Sequence, residues 1–378
     1  MSPPEFDFSE VLRQMVETRA SDVHITPGVP PAIRDKGRIR PMDGFPVLNT
    51  QQTREVVYGI LNDDQRKRFE NDQQLDFAYA IPGVARFRVN CFFQRGAVSA
   101  VFRLIPHDVP ALDSLGVPAV LRELTTKPRG FVLVTGPTGS GKSTTLAAMI
   151  DAINLDREDH ILTIEDPIEF LHHHKRSIVN QREIGSDAPD FARGLRAALR
   201  QDPDVILVGE MRDLETVSTA LTAAETGHLV FATLHTQSTA QTVDRVIDVF
   251  PPEQQAQVRT QLSIALQGIV TQQLLPTSDG RGRVVACEVL IPTPAIRNLI
   301  REGKTHQIYA ALQTSGATGM QTMDADLVRL VRAGKIGRAL AEQRASVPEE
   351  LNRLLGGGPA VPGVAAPPEP QPAYLNGA

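Results

Sequence analysis

The eight residues 136–143 constrain the fold of this chain more than any other segment. They read GPTGSGKS and fit the pattern G-x-x-x-x-G-K-[ST]. An apolar, strand-like run at 131–135 precedes them, and a helical stretch from 142 to about 153 follows. Glycines allow backbone N–H groups to converge on phosphate oxygens, and a helix N-terminus adds a favourable dipole. The segment therefore predicts a phosphate-binding loop; the alternative is a chance glycine-rich turn.

The loop also predicts which nucleotide groups it would hold. Lys142 is expected to neutralise the β- and γ-phosphates, and the Ser143 hydroxyl is expected to reach Mg²⁺. These roles make ATP and Mg²⁺ the expected cofactors. The residues that we expect to contact the nucleotide are Gly136, Pro137, Thr138, Gly139, Ser140, Gly141, Lys142, Ser143 and Thr144.

From about residue 121 onward, short apolar runs alternate with helical stretches. Polar alternation is absent from the runs at 131–134, 161–164, 205–208 and 229–234. Such runs are typical of strands buried on both faces of a parallel sheet. Helical patterns continue from 252 to about 274 and again through the C-terminal third. We expect an α/β nucleotide-binding domain at 121–355 with helical elements at its C-terminal end.

The first 105 residues have a different pattern and predict a smaller mixed domain. Apolar residues at helical spacing between 8 and 16 predict an opening helix, and a second helical stretch runs from 53 to about 70. Strands are predicted at 23–25, 32–34, 85–93 and 98–104, the last two joined by a turn at Gly96. Prolines and glycines punctuate residues 106–120, which we interpret as a linker. Residues 356–378 hold five Gly and six Pro, so we expect a disordered tail.

Composition makes several classes of protein less favoured. The chain has 39 basic and 44 acidic side chains and a net charge of −5, which does not favour a nucleic-acid binder. Its two cysteines, Cys91 and Cys287, cannot form a disulfide framework, so a reducing compartment is expected. The N-terminus has no secretion signal, and the longest apolar runs are far shorter than the ~20 residues of a membrane helix. We expect a cytoplasmic protein.

Carboxylates follow two of the apolar runs, at the strand ends where ligands bind in open parallel sheets. Glu210 comes after the run at 205–208 and is a candidate for ordering Mg²⁺, directly or through water. Glu165 stands with Asp166 and Glu169 after the run at 161–164. Because crowded carboxylates repel, one of them can have a raised pKa, and we favour Glu165 as the group that activates water. The alternatives are a solvated acid at a strand end and an acidic loop.

Two histidines bracket the apolar run at 229–234. An extended strand spaces His228 and His235 by about 23 Å, so both cannot touch one phosphate in the same subunit. His235 lies at the carboxyl end and could sense the γ-phosphate, although a lone histidine is more often structural. The run at 172–174, HHH, is predicted to be a solvated loop rather than a metal site.

Basic side chains line two strands of the first domain. Strand alternation places Arg86, Arg88 and Asn90 on one face, and the next strand carries Arg103. These arginines could reach a nucleotide by domain closure or from a neighbouring subunit, where they would stabilise charge in phosphoryl transfer. An ordinary solvated strand face is the alternative.

Four segments together identify a family. They read GPTGSGKSTT, TIEDPIEF, DVILVGEMRD and TGHLVFATLHT. With them the chain, from the opening helix to about residue 355, resembles the retraction ATPases of type IV pili, within the secretion-ATPase superfamily of P-loop motors. The resemblance implies a homohexameric ring in which a PAS-like N-terminal domain is joined to a RecA-like ATPase domain. It also implies that nucleotide sites close between subunits.

The resemblance assigns roles to individual residues. It makes Glu165 the catalytic glutamate and Glu210 the Walker B glutamate, and it places His235 near the nucleotide. Arg88 and Arg103 lie on the strands that carry the family's arginine fingers. Lys142 matches the phosphate position, and the metal positions are matched by Ser143 and Glu210.

Two features distinguish retraction ATPases from the other members of the superfamily. Extension and type II secretion ATPases usually carry a four-cysteine zinc motif in the C-terminal half, where this chain has only Cys287. Residues 295–300, AIRNLI, match an element of the retraction ATPases. The resemblance thus implies a Mg²⁺-dependent motor that retracts a pilus at the cytoplasmic face of the inner membrane. It would act on a membrane platform protein, associate with the membrane peripherally and bind no nucleic acid.

Other functions stay open at this point. One alternative is a pilus-extension or type II secretion ATPase of the same superfamily. Another is a nucleotide-dependent scaffold that does not hydrolyse ATP. A nucleic-acid motor is the third, and the net charge of −5 gives it no support.

Overall fold

The computed structural model describes residues 7–35, 37–82, 84–105 and 108–356. Two β-sheets organise these residues, and each has its own buried apolar core. The predicted tail lies outside the described residues, apart from Gly356, as do positions 106 and 107 of the predicted linker. The division into domains at 105 and 121 stays a prediction.

The N-terminal sheet is antiparallel throughout. Three helices belong to the same part of the chain: α1 (Phe8–Glu17), α2 (Thr50–Ile60) and α3 (Asp63–Asp72). Its strands are β1 (Asp22–Ile25), β2 (Ala32–Asp35), β3 (Arg38–Pro41), β4 (Gln74–Ile81), β5 (Ala85–Gln94) and β6 (Ala97–Ile105). They are ordered β3-β2-β1-β6-β5-β4. The opening helix and the four strands predicted here are confirmed.

The predicted helical stretch from 53 to about 70 is wrong in one respect, because it forms two helices. Leu61 has an extended backbone with a ψ of 136°, which ends α2. The Asn62 side chain then accepts from the N–H of Gln65, whose side chain accepts in turn from the N–H of Asn62. This capping box starts α3. The sequence analysis also misses β3 and β4; β3 is exposed along its length and therefore shows no apolar alternation.

The second sheet is mostly parallel and carries helices on both faces. Its strands are β7 (Gly130–Thr135), β8 (His160–Glu165), β9 (Ile178–Glu183), β10 (Val205–Val208), β11 (Leu229–Leu234), β12 (Leu266–Pro276) and β13 (Arg283–Leu290). The order is β13-β12-β7-β11-β10-β8-β9, and only β13 is antiparallel to its neighbour.

The helices of this part divide between the two faces because neighbouring residues of a strand point to opposite sides. Phe131 and Leu133 of β7 pack in one core, and Val132 and Val134 pack in the other. The helices are α4 (Val120–Thr125), α5 (Lys142–Asp156), α6 (Phe191–Ala198), α7 (Leu214–Thr226), α8 (Thr239–Asp248), α9 (Pro252–Ala265), α10 (Pro294–Arg301), α11 (Ile308–Thr314), α12 (Met323–Arg332), α13 (Arg338–Arg344) and α14 (Pro348–Leu355).

The predicted helix from 252 to about 274 ends early. Strands β12 and β13 form where helical structure was expected. Helix α9 stops at Ala265 and the chain continues as β12, which pairs with β7 on one side and β13 on the other. The β-branched run Ile269, Val270 and Thr271 favours a strand, but an apolar run of this length fits either structure. Pairing with distant strands decided the outcome.

The register of the parallel strands brings four strand ends together. Leu234 of β11 is paired with Thr135 of β7, and Val208 of β10 is paired with Ile164 of β8. The residues that follow these pairs therefore meet at one edge of the sheet. Within the described residues, no helix combines the length and the apolar character needed to cross a membrane.

Candidate active site

The phosphate-binding loop joins β7 to α5, as predicted. Gly141 precedes the helix with a φ of +91°, and Gly136 has a φ of +138°. A Cβ on Gly136 would overlap the carbonyl oxygen of Gln272 and the side chain of Ser140. Only glycine therefore allows the strand to turn sharply into the loop at this position.

Lys142 is buried at the start of α5 and points back into the loop. Its Nζ donates to the carbonyl oxygens of Gly136 at 2.8 Å and Pro137 at 3.1 Å. Burial lowers the pKa of Lys142, and the charges of Glu210 and Glu169 oppose that shift. Two carbonyl oxygens of the loop thus hold the ammonium group in place.

A cavity of about 180 Å³ opens beside the loop and collects the side chains predicted from separate segments. The predicted site residues that line it are Thr138, Gly139, Lys142, Ser143, Glu165, Glu210 and His235. Gly136, Pro137, Ser140 and Gly141 form the loop itself, and Thr144 lies in the first turn of α5. Asp166 and Glu169 of the acidic segment also border the cavity.

Glu165 ends β8 and is held by hydrogen bonds to one oxygen. Its Oε1 accepts from the Thr163 hydroxyl at 2.6 Å and from Gln181 Nε2 at 3.1 Å. Burial raises the pKa of Glu165 to about 7, against the lowering effect of these hydrogen bonds. A carboxyl group with this pKa can exchange a proton near neutral pH, as a general base must.

Glu210 belongs to a small cluster of charged and polar side chains that the sequence pattern does not predict. Arg212 donates to it through Nε at 2.5 Å and Nη2 at 2.6 Å, and His235 Nε2 lies 3.0 Å from its Oε1. Burial favours a raised pKa, but the Arg212 hydrogen bonds and charge, together with His235, hold the pKa of Glu210 below its usual value. Glu210 is therefore ionised at neutral pH. The signal for Arg212 was its position in GEMRD, two residues after Glu210.

The three consecutive histidines have different surroundings. His173 and His174 are exposed, as expected of a solvated loop. His172 is only partly exposed and borders the cavity, and burial lowers its pKa to about 4. Its imidazole is therefore neutral, and the description of a solvated loop is wrong for this residue. His228 lies at the opposite end of β11, and its Nδ1 is 3.0 Å from the Ala223 carbonyl oxygen.

The predicted arginines of the N-terminal sheet face the acidic segment of their own chain. Arg88 and Arg103 are direct partners across β5 and β6. Both border a second cavity of about 170 Å³, together with Pro167, Ile168 and Glu169. They do not border the cavity at the phosphate-binding loop.

Arg103 and Arg88 also have acidic neighbours within their own sheet. Arg103 Nε donates to Asp22 at 2.8 Å, and Arg88 Nε lies 3.7 Å from Asp76. Both guanidinium side chains stay substantially exposed.

Arg86 differs from its neighbours because it joins the two sheets. Its Nη2 donates to Glu183 Oε2 at 2.9 Å. Glu183 lies on β9 and is 3% exposed, and the same oxygen accepts from the N–H of Ile168 at 3.2 Å. The pair therefore ties the N-terminal sheet to the segment that follows Glu165.

The AIRNLI segment forms most of α10. Ile296 and Ile300 are buried, as the apolar stripe predicts. Arg297 donates to the carbonyl oxygens of Ser263, Ile264 and Leu266 at the end of α9. It thereby satisfies carbonyl groups that a helix C-terminus leaves without partners.

A phosphate-binding loop, an adjoining parallel sheet and carboxylates at the same sheet edge define a P-loop nucleotide-binding protein with a RecA-like fold. A family model described as "Type II/IV secretion system protein" matches residues 3–335. The chain belongs to this family of secretion ATPases.

Similar proteins agree with this assignment. The chain is 54% identical to the type IV pilus retraction ATPase PilT of Pseudomonas aeruginosa, over 91% of this chain and 100% of that protein. It is 52% identical to a twitching motility protein of Neisseria gonorrhoeae, over 85% of this chain and 86% of that protein. A crystal structure of the pilus retraction motor PilT with bound ADP has a TM-score of 0.87 and 51% identity, and covers 92% of this chain and 100% of that one. The predicted fold class and the predicted resemblance are confirmed.

Proposed function

We propose that this chain is an ATPase that drives the disassembly and retraction of a type IV pilus. The observation that carries the proposal is the cavity that Lys142, at the start of α5, shares with Glu165 and Glu210 at the ends of two strands. Two relatives that match most of the chain are a pilus retraction ATPase and a twitching motility protein. The chain has two cysteines and therefore lacks the four-cysteine motif that is usual in extension and type II secretion ATPases.

The phosphates of ATP would lie against the loop, with Lys142 near the β- and γ-phosphates. Ser143 supplies a hydroxyl and Glu210 an ionised carboxylate to the same cavity, a donor set that suits Mg²⁺, with Glu210 acting directly or through water. Bound there, Mg²⁺ would neutralise charge on the phosphate oxygens. His235, 3.0 Å from Glu210, would respond to the charge of the γ-phosphate.

Glu165 would orient the attacking water and accept its proton. Its pKa of about 7 gives a mixed population at neutral pH, and only the ionised form can accept a proton. The hydrogen bonds to Oε1 hold the carboxylate in place for that transfer.

Arg88 and Arg103 would supply positive charge when the N-terminal sheet closes on the nucleotide. Within their own chain they border Pro167–Glu169 and not the cavity at the phosphate-binding loop, and both stay substantially exposed, so they are available to the nucleotide site of an adjacent subunit. A neighbouring subunit of the proposed homohexamer would then lie against the closed site. Cycles of closing and opening would act on an inner-membrane platform protein at the cytoplasmic face, by peripheral contact and without nucleic acid.

A clean deletion of the gene tests the retraction assignment. Cells without the protein are expected to keep surface pili and lose twitching motility. Bald cells would instead support an extension motor, and retained retraction would contradict the proposal.

A purified sample tests the ring. ATP hydrolysis per subunit is measured across protein concentration, with molar mass recorded on the same samples and Lys142→Ala as the blank. Activity is expected to rise as hexamers form. Equal activity per subunit in a proven monomer would contradict the proposal that sites depend on neighbouring subunits.

A further inference from the structure

We propose that Gln181 is a positioning residue that sets the orientation and the basicity of Glu165. The inference rests on the proposed function, since it concerns the group that would activate water. Gln181 lies in the middle of β9, at the outer edge of the parallel sheet, and none of the family segments above contains it.

The register explains why Gln181 reaches the site. Strands β8 and β9 are parallel, with Thr163 paired to Gln181 and Glu165 paired to Glu183. Residues two apart on a strand share a face, so these four side chains lie on one side of the sheet. Val179 of the same strand packs in the core that contains α5, which places them on the side of the phosphate-binding loop.

Each polar atom of the Gln181 side chain has a partner between residues 165 and 172. Nε2 donates to Glu165 Oε1 at 3.1 Å and to the Phe170 carbonyl oxygen at 2.8 Å. Oε1 accepts from the N–H of His172 at 2.8 Å. The opposite orientation of the amide would place its oxygen against a carboxylate and a carbonyl, and its NH₂ against an N–H. The partners therefore determine the orientation.

These contacts do two things at once. They hold the backbone at Phe170 and His172, which border the cavity, and they direct an N–H group at the carboxylate of Glu165. Thr163 donates to the same oxygen, so both side-chain donors meet Oε1 and neither meets Oε2. This arrangement fixes the rotation of the carboxylate and favours its ionised form.

Other titratable groups also lie around Glu165, and the substitutions of Gln181 leave their identity unchanged. Glu169, from the same segment, raises the pKa of Glu165 by its charge, and its backbone N–H has the opposite effect. The remaining titratable groups that border the shared cavity are Lys142, Asp166, His172, Glu210 and His235.

The test compares Gln181→Leu and Gln181→Glu with Asn180→Ala. Asn180 is the neighbouring residue on the opposite face of β9, is exposed and contacts His160, so it is a matched control. For each variant, kcat and KM for ATP are measured from about pH 6 to pH 9, with thermal unfolding and binding of a non-hydrolysable ATP analogue on the same preparations.

We expect Gln181→Leu to lower kcat at pH 7 by about 10- to 100-fold, with KM within about twofold of the wild type. The rise of kcat with pH is expected to move upward by about one unit, because a donor to the ionised carboxylate is lost. Gln181→Glu is nearly isosteric and adds a second negative charge beside Glu165. We therefore expect this variant to shift the rise of kcat upward in pH by at least as much. Asn180→Ala is expected to keep the wild-type profile.

A loss of kcat that is the same at every pH would overturn the inference, because it would show a structural role alone. Wild-type kcat in either folded Gln181 variant would also overturn it. If Gln181→Leu does not fold, Gln181→Glu carries the same test. Absence of Lys142-dependent hydrolysis in the wild type would overturn the proposed function and this inference together.

Discussion

Replacing Arg86 by methionine breaks the buried ion pair that joins the two sheets. The guanidinium group lies 2.9 Å from Glu183, and the two side chains are 23% and 3% exposed. After the change, the N–H of Ile168 still donates to the Glu183 carboxylate, but the ion pair with the guanidinium group is lost. Met preserves much of the length and apolar contact of the arginine stem.

The expected loss of stability follows from this burial. Removing one partner of a fully buried pair costs about 3–5 kcal/mol. Arg86 is partly exposed, and its Nε has no hydrogen-bond partner among the residues that the structure describes, so we expect a loss of about 2–3 kcal/mol. The matched control is Arg88→Met, two residues away on the same face of β5. Arg88 lies 3.7 Å from Asp76 with side chains 45% and 57% exposed, and such pairs contribute about 0–1 kcal/mol.

The assay is urea unfolding followed by circular dichroism, with the denaturant slope compared between variants. The double variant with Glu183→Gln should lose less than the sum of the two single variants, because one change relieves the charge that the other exposes. Hydrolysis by the folded variants should show the opposite order, with Arg88→Met the more impaired. Equal stability losses for Arg86→Met and Arg88→Met would refute the reasoning.

Three further predictions follow from the site and from α10. Because the pKa of Glu165 is raised to about 7 and only its ionised form accepts a proton, kcat should rise between about pH 6 and pH 8, which a pH-rate profile measures. Lys142→Ala should weaken ATP binding, measured by calorimetry, by at least about 30-fold. An unchanged affinity would contradict the proposal that this loop binds the phosphates of ATP. Arg297→Met should cost about 1–3 kcal/mol in urea unfolding, since it leaves carbonyl groups of α9 unpaired, whereas Arg301→Met at the exposed end of α10 should cost little.

The sequence predicts the centre of the site well because its parts are local. A phosphate-binding loop is contiguous, and each of Glu165, Glu210 and His235 follows an apolar run that forms a strand. Once these strands are parallel, their carboxyl ends must meet at one edge. The convergence of these side chains in one cavity therefore follows from the pattern.

The parts that the sequence does not predict depend on distant pairing. Arg86 and Glu183 are 97 positions apart in the sequence, and neither local segment predicts that the two side chains pair. Gln181 reaches Glu165 only because β9 lies beside β8 in a definite register. Strand β12 was predicted as helix because its apolar run fits both periods, and its partners β7 and β13 decide its conformation.

The central claim is that Glu165 activates water for ATP hydrolysis in the cavity at the phosphate-binding loop. Single-turnover hydrolysis of ATP by the wild type and by Glu165→Gln tests it most directly, with binding measured separately. The control is Glu158→Gln, an exposed acid paired with Arg176 outside the cavity. We predict that Glu165→Gln binds ATP normally and hydrolyses it at least about 100-fold more slowly, while Glu158→Gln matches the wild type. Hydrolysis by Glu165→Gln at the wild-type rate would contradict the account.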